Sequence, residues 1–130
     1  MAKPLALTSG EPAGIGPDIA IEAWLRRREA DLPPFYLLGD PGFFAGRARH
    51  LGLKVDFAEV AADEAGLAFA RALPVVATGK TATAAPGRPD ASSAEAVLAS
   101  IRQAVNDVAT GIASAVVTNP IAKSVLYRAG

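Results

Sequence analysis

The feature that most constrains the fold of this chain is the alternation of short, continuously apolar runs with segments of helical periodicity. Uninterrupted apolar runs are typical of strands in parallel sheets, because helices cover both faces of such a sheet. Strands separated by helices also imply right-handed crossovers. We therefore predict an α/β fold with a mostly parallel sheet flanked by helices, in which the last strand is central. The predicted strands are residues 5–9, 35–38, 55–60, 73–77 and 113–118.

Helical spacing of apolar residues predicts helices over residues 18–28 and 43–51, with Gly52 ending the second helix. A third helix is predicted to begin at a capping box at Ser92 and to end at Gly111. The residues expected on the buried helix faces are Ile21, Trp24 and Leu25 in the first helix, and Val97, Ile101, Ala104, Val105 and Val108 in the third.

Composition excludes several function classes. A hydrophobic fraction of 51% and a charged fraction of 20% are typical of a globular protein, and 130 residues suffice for one domain. Basic and acidic residues balance at 13 each, which gives no electrostatic argument for a nucleic-acid or membrane partner. Absence of cysteine excludes disulfides and thiolate chemistry. Since we also expect neither a signal peptide nor a membrane helix, we predict a cytoplasmic protein.

A glycine-rich loop, GEPAGIGP at residues 10–17, follows the first predicted strand and precedes the first predicted helix. Such a junction directs N–H groups and the positive end of the helix dipole toward one point, which favours a phosphate, a carboxylate or a dinucleotide. Its spacing matches neither the dinucleotide fingerprint nor the Walker P-loop, so a tight packing turn is an equal alternative. Gly16 is predicted to cap the helix and Pro17 to be its first residue.

A second candidate segment follows the last predicted strand, where Thr118, Asn119 and Pro120 form a turn that begins another helix. Lys123 would lie about one turn inside that helix, where it could reach an anion at the carboxyl end of the strand. A solvated surface lysine is the alternative, and the two polar turn residues equally suit a simple cap. The sequence leaves open whether this turn and the glycine-rich loop are neighbours in space.

His50, the single histidine of the chain, is predicted at a helix end, where the dipole favours a cation. A lone histidine without neighbouring acids or cysteines is a poor metal ligand, so we predict no metal site from it. The cluster 26–28 of three arginines is interpreted as a solvated helix end.

The glycine-rich loop, taken together with VVTNPIAK at residues 116–123, resembles the PdxA family of 4-hydroxythreonine-4-phosphate dehydrogenases. Residues 39–40 and 129–130 also look like family positions, and the resemblance extends from Leu5 to the end of the chain. The loop is similar as well to the Gly-Asp-Gly-Ile-Gly-Pro loop of isocitrate and isopropylmalate dehydrogenases. The resemblance therefore implies a partial isocitrate/isopropylmalate dehydrogenase-like fold.

The resemblance also implies an activity. Family members oxidise and decarboxylate 4-phosphooxy-L-threonine to 3-amino-2-oxopropyl phosphate in pyridoxine and pyridoxal phosphate biosynthesis, and NAD or NADP accepts the hydride. A divalent metal (Zn, Mg or Co) polarises the hydroxyl and then the carbonyl. The phosphorylated substrate binds in a cleft between two domains at a homodimer interface.

Site roles follow from the same resemblance. Lys123 would be catalytic, and Thr118 and Asn119 would contact substrate. Asn119 departs from the glycine of many members, which adds a side chain near the site. No metal ligand is expected within this chain. The residues expected to bind the cofactor are Gly10, Glu11, Pro12, Ala13, Gly14 and Gly16.

Members of the family are more than twice as long as this chain, and their Gly-His-Thr-Glu motif and three metal-binding histidines would follow residue 130. We therefore expect residues 1–130 to be the N-terminal α/β portion of a longer two-domain dehydrogenase, inactive alone and with exposed apolar surface. One alternative is a related metal-dependent dehydrogenase that acts on another hydroxy acid or a dihydrodiol. Another is a non-catalytic phosphate- or nucleotide-binding module that is complete at this length.

Overall fold

Five strands form one sheet, and every strand pair in it is parallel. The computed structural model describes residues 3–80 and 94–119. The sheet order is β3-β4-β2-β1-β5. The α/β fold with a mostly parallel sheet is thus confirmed. The strands are β1 (Leu5–Leu7), β2 (Phe35–Gly39), β3 (Phe57–Glu59), β4 (Leu73–Ala77) and β5 (Val116–Val117).

The three predicted helices are present with slightly different ends, and one further helical stretch was not predicted. The first helix begins at Gly16, so this residue is helical and Ile15 takes the cap position predicted for Gly16. A turn at Ala62–Glu64 and a short helix after it were not predicted, because that alanine-rich stretch has no apolar periodicity. Ser92 lies outside the described residues. The helices are α1 (Gly16–Leu25), α2 (Pro41–His50), α3 (Ala65–Ala68) and α4 (Ala94–Ala109).

Strand residues alternate between two apolar layers, one on each face of the sheet. On one face, Leu37 and Val75 pack with Ile21 and Trp24 of α1 and with Phe44 of α2. On the other face, the cluster contains residues from β1, β2, α3 and α4. Helices on both faces explain why the strands are continuously apolar. The second cluster comprises Ala6, Tyr36, Leu38, Ala62, Ala65, Ala104 and Ala113.

Two predicted core positions are wrong. Leu25 is 38% exposed and Val105 is 56% exposed. Leu25 is the last residue of α1. The buried face of α4 instead includes Ser100 and Asp107, which are 0% and 1% exposed. Apolar spacing missed these two because polar residues are assigned to the surface unless a buried partner is known.

A buried hydrogen bond joins the sheet to α4. The Tyr36 hydroxyl donates to Asp107 Oδ2 at 2.6 Å, and Gln103 Nε2 donates to Asp107 Oδ1 at 2.8 Å. Tyr36 is fully buried in the middle of β2. Its burial, and next its hydrogen bond to the Asp107 carboxylate, raise the pKa of this tyrosine above the ordinary value. The carboxylate therefore has donors for both oxygens despite its burial.

The last strand lies at an edge of the described sheet, so the predicted central position is not found within residues 3–80 and 94–119. Val117 is 43% exposed and Ile19 of α1 is 49% exposed. Between them lies an apolar groove of about 230 Å³. Its walls are Leu5, Leu7, Ile19, Ala20, Ala23, Leu32, Pro33, Phe35, Val117 and Asn119. None of the described helices is long and apolar enough to cross a bilayer.

Candidate functional site

The glycine-rich loop and the described part of the second motif, residues 116–119, lie at the carboxyl edge of the sheet, where parallel α/β sheets bind their ligands. They are neighbours because β1 pairs with β5, with Ala6 opposite Val116 and Leu7 opposite Val117. The glycine-rich loop follows β1, and residues 118–119 follow β5. The structure thus answers the question that the sequence left open.

A direct contact, here called the loop–turn joint, connects Thr8, Gly16 and Asn119. The backbone N–H of Asn119 donates to Thr8 Oγ1 at 3.1 Å, and Asn119 Nδ2 donates to the Thr8 carbonyl at 2.8 Å. A Cβ added to Gly16 would lie 2.9 Å from Asn119 Cβ and 3.1 Å from its Cγ. Gly16 is therefore required here by close packing. Thr118 is exposed beside the joint, available to a ligand.

The glycine-rich loop uses part of its own hydrogen-bonding capacity internally. Glu11 is 5% exposed, its Oε1 accepts from Ala13 N at 3.2 Å, and its carbonyl accepts from Gly14 N at 2.9 Å. Gly10 has a φ of 66°, a left-handed conformation that favours glycine. Two of the N–H groups expected to converge on a ligand are thus engaged by Glu11. The loop is a preformed turn with a partly exposed tip.

That tip is apolar. Ile15 is 63% exposed, and it caps α1 without a side-chain hydrogen bond. Ile19 continues the exposed apolar surface one turn later. The N-terminus of α1 adds the positive end of a helix dipole beside these side chains. An apolar surface next to a positive helix end suits a ligand with a flat ring and a negative group.

A buried arginine that was not predicted as a site residue donates hydrogen bonds to the backbone of the glycine-rich loop. Arg47 of α2 is 4% exposed, and its Nη1 donates to Gly14 O at 3.1 Å and to Asp18 Oδ1 at 2.6 Å. Its Nη2 donates to the Pro12 carbonyl. A single arginine within a helical pattern is normally assigned to the surface. The one sequence signal was its helical position near Phe44 and Ala48, both of which are buried.

A serine pair anchors the start of the loop to α4. Ser9 Oγ donates to Ser100 Oγ at 3.1 Å, and Ser100 Oγ donates to Val97 O at 2.8 Å. Ser9 is 8% exposed. The loop is therefore fixed to α4 on one side and to α2 on the other.

The carboxyl ends of β2 and β4 form a second cleft, of about 210 Å³, on the same edge. Asp40 Oδ1 accepts from Gly42 N at 3.1 Å and so caps α2. Thr78 Oγ1 is buried and has no hydrogen-bond partner among the described residues. Lys80 at the rim lies 3.7 Å from Glu95 Oε2, with both side chains exposed. Residues 39–40, which resemble family positions, therefore lie on the same edge of the sheet as the glycine-rich loop.

Within the part of the chain that the structure describes, no three His, Cys, Asp or Glu residues lie close enough together to hold a metal ion. His50 is the last residue of α2, at the helix end where it was predicted. The described residues therefore do not fit a divalent metal. Pro120 and Lys123 lie outside the described residues, as do residues 129–130.

Comparisons with known sequences agree on one family. A family model described as "Pyridoxal phosphate biosynthetic protein PdxA" matches residues 31–130. The 4-hydroxythreonine-4-phosphate dehydrogenase of Bradyrhizobium diazoefficiens is 67% identical over an alignment 137 positions long, which covers 99% of this chain and 40% of that relative. The chain therefore spans about two fifths of the length of this curated relative.

Solved structures with the same fold include a 4-hydroxythreonine-4-phosphate dehydrogenase from Burkholderia phymatum. It has a TM-score of 0.89 at 19% identity, over 100% of this chain and 40% of that one. A terephthalate 1,2-cis-dihydrodiol dehydrogenase from Burkholderia xenovorans LB400 has a TM-score of 0.74 at 25% identity, over 98% of this chain and 37% of that one. The dehydrogenase-like architecture expected from the sequence is thus confirmed.

Proposed function

This chain belongs to the PdxA family, and from that membership we propose that it forms the first α/β part of an NAD(P)-dependent 4-hydroxythreonine-4-phosphate dehydrogenase. The proposed reaction oxidises the 3-hydroxyl of 4-phosphooxy-L-threonine and transfers hydride to the nicotinamide. Loss of carbon dioxide from the resulting β-keto acid gives 3-amino-2-oxopropyl phosphate. This reaction is a step of pyridoxal phosphate biosynthesis. The proposed enzyme is a homodimer and is located in the cytoplasm.

The observation that supports this proposal most strongly is the loop–turn joint. Hydrogen bonds from Asn119 to Thr8, together with the close approach to Gly16, bring the two family-like motifs into contact. The contact forms at the carboxyl edge of a parallel sheet, which is where α/β folds bind their ligands. Its position at that edge supports a shared ligand site.

In this proposal the two motifs have different roles. The exposed tip of the glycine-rich loop and the N-terminus of α1 would contact the dinucleotide, since Ile15 offers apolar surface and the helix offers its positive end. Thr118 and Asn119 would contact the phosphorylated substrate, with Lys123 as a catalytic group on the substrate side. A divalent metal, when bound by residues outside this chain, would polarise the hydroxyl that is oxidised.

The decisive experiment is a turnover assay on the full-length enzyme and on residues 1–130 alone. The full-length enzyme should reduce NAD or NADP when 4-phosphooxy-L-threonine and a divalent metal are added, and should release carbon dioxide in equal amount. Residues 1–130 alone should show no turnover, because the described residues supply no metal ligand set. Robust metal-dependent reduction by the isolated segment would contradict the proposal, as would a full-length enzyme without activity on this substrate.

Replacing Lys123 by alanine in the full-length enzyme should lower kcat/KM by at least about tenfold, because a positioned proton-transfer or charge-stabilising group contributes at least that much. Steady-state kinetics and circular dichroism would show whether the loss occurs with the fold intact. The control is Lys54→Ala, an exposed lysine between α2 and β3. Equal kinetics for the two variants would make Lys123 a surface residue.

A second candidate function is oxidation of a dihydrodiol without a phosphate group. Its specific support is the structural similarity to the terephthalate dihydrodiol dehydrogenase, whose identity to this chain is 25%. The 67% identity to a 4-hydroxythreonine-4-phosphate dehydrogenase favours the first candidate. Comparing kcat/KM for a cis-dihydrodiol and for 4-phosphooxy-L-threonine decides between them, and the larger value identifies the substrate class.

A further inference from the structure

From the contacts of Arg47 we infer that this residue positions the glycine-rich loop for dinucleotide binding. The inference rests on the proposed function, in which that loop contacts the dinucleotide. Arg47 itself lies behind the loop and is 4% exposed. It is thus a positioning residue rather than a group that touches a ligand.

The guanidinium joins two backbone carbonyls and one carboxylate. Nη2 reaches the carbonyl of Pro12 early in the loop, and Nη1 reaches the carbonyl of Gly14 near the loop tip. Nη1 also lies 2.6 Å from Asp18 Oδ1, in the first turn of α1. One side chain on α2 therefore fixes both halves of the loop and the helix that follows it. Both carbonyls accept from a side chain of α2, whereas the neighbouring Ile15 is 63% exposed.

Only arginine suits this arrangement. A guanidinium has donors in a rigid planar fork and can bind several acceptors at once, whereas a lysine ammonium is a compact point charge. The side chain of Arg47 is 2% exposed, so its charge depends on these partners for stabilisation. Its Cζ also lies 5.2 Å from the centre of the Phe43 ring, which favours a cation over the ring face.

The energetic role is preorganisation. A loop that is already ordered loses little backbone entropy when a ligand binds, whereas a loosened loop must be ordered by the ligand. Because the loop–turn joint and the Ser9–Ser100 pair remain when Arg47 is replaced, the loop would loosen without detaching. We therefore expect the loss to fall on dinucleotide binding more than on binding of the phosphorylated substrate.

The experiment replaces Arg47 by lysine in the full-length enzyme, with Arg49→Lys on the exposed side of α2 as the matched control. Arg47→Lys should raise the KM for the dinucleotide about tenfold and that for 4-phosphooxy-L-threonine less than about twofold. Arg49→Lys should change neither constant. Amide hydrogen exchange should become faster in residues 10–16 of Arg47→Lys and remain unchanged in β2.

Three results would overturn the inference. One is an unchanged dinucleotide KM in Arg47→Lys with the fold intact. Another is a parallel rise of both KM values with a lower melting temperature, since that pattern indicates general destabilisation. The third is unchanged hydrogen exchange in residues 10–16. Failure of the proposed function is distinguishable, because it would appear as absent turnover in the unsubstituted enzyme.

Discussion

Replacing Gly16 by alanine in the full-length enzyme should lower kcat/KM by about a hundredfold, because a displacement of about 1 Å at a site has an effect of that size. The new Cβ would lie 2.9 Å from Asn119 Cβ, too close for both residues to keep their positions. Atoms near the backbone of Asn119 cannot swing away as the end of a long side chain could. Asn119 must therefore move away from Gly16, which separates the loop from the described part of the second motif.

The matched control for this variant is Gly46→Ala on α2, where the nearest atom to an added Cβ is Arg49 Nη2 at 3.7 Å, an ordinary contact. The double variant Gly16→Ala/Asn119→Gly should regain at least about tenfold in kcat/KM, because it removes the side chain that the new Cβ meets. Steady-state kinetics and melting temperatures of the four proteins test this. Full activity of Gly16→Ala, or no recovery in the double variant, would contradict the steric explanation.

Replacing Tyr36 by phenylalanine should lower the free energy of unfolding by about 2 kcal/mol at neutral pH, because hydrogen bonds to charged groups contribute about that much. The lost hydroxyl is the donor to Asp107 Oδ2 at 2.6 Å, and the carboxylate that loses it is 1% exposed. Chemical denaturation of the full-length enzyme measures the change. Val105→Ala, on the exposed side of α4, is the control and should change stability by less than about 0.5 kcal/mol.

The same hydroxyl predicts how stability depends on alkaline pH. An unfolded tyrosine ionises near its ordinary pKa of 10.0, whereas burial and the hydrogen bond to Asp107 raise the pKa of Tyr36 in the folded chain. Below pH 10 the hydroxyl is protonated in both states and its stabilising contribution is complete. Above pH 10 only the unfolded state loses the proton, so this contribution falls by about 1.4 kcal/mol for each pH unit.

Tyr36→Phe has no such hydroxyl, so the difference in unfolding free energy between the original protein and the variant should shrink as the pH rises above 10. Urea denaturation of both proteins between pH 8 and pH 11 measures this difference. Lysines that titrate in the same range are common to both proteins, so their effect cancels in the difference. A difference that stays constant up to pH 11 would show that Tyr36 does not retain its proton in the folded state.

Much of the fold was predictable because it depends on local patterns. Residues 73–77 were predicted as a strand with the bounds that β4 has, because a short apolar run ends there before polar Thr78. Gly52 and Gly111 mark helix ends through left-handed φ values of 71° and 82°, which is the physical basis of the sequence rule. Local chemistry therefore determines where these elements begin and end.

The rest depends on partners that are distant in sequence. Nothing near Asp107 indicates that Tyr36 will donate to it, and nothing near Arg47 indicates that the carbonyls of Pro12 and Gly14 will accept from it. Polar residues of this kind appear solvated in a sequence and become buried only when the fold supplies partners. The adjacency of the two motifs likewise required the strand order, which no local pattern specifies. The roles of Thr118, Asn119 and Lys123 remain predictions.

The pairing of β1 with β5 determines when in folding the site can exist. Thr8 and Asn119 are 111 residues apart, so bringing them together closes a far longer chain segment than the pairing of β1 with β2 does. Long closures cost more conformational entropy and form late. We expect β5 to dock after β1 and β2 have paired. In a partly folded chain, most of the sheet would be formed but the two motifs would not yet be in contact. Ligand binding at these motifs would therefore require complete folding.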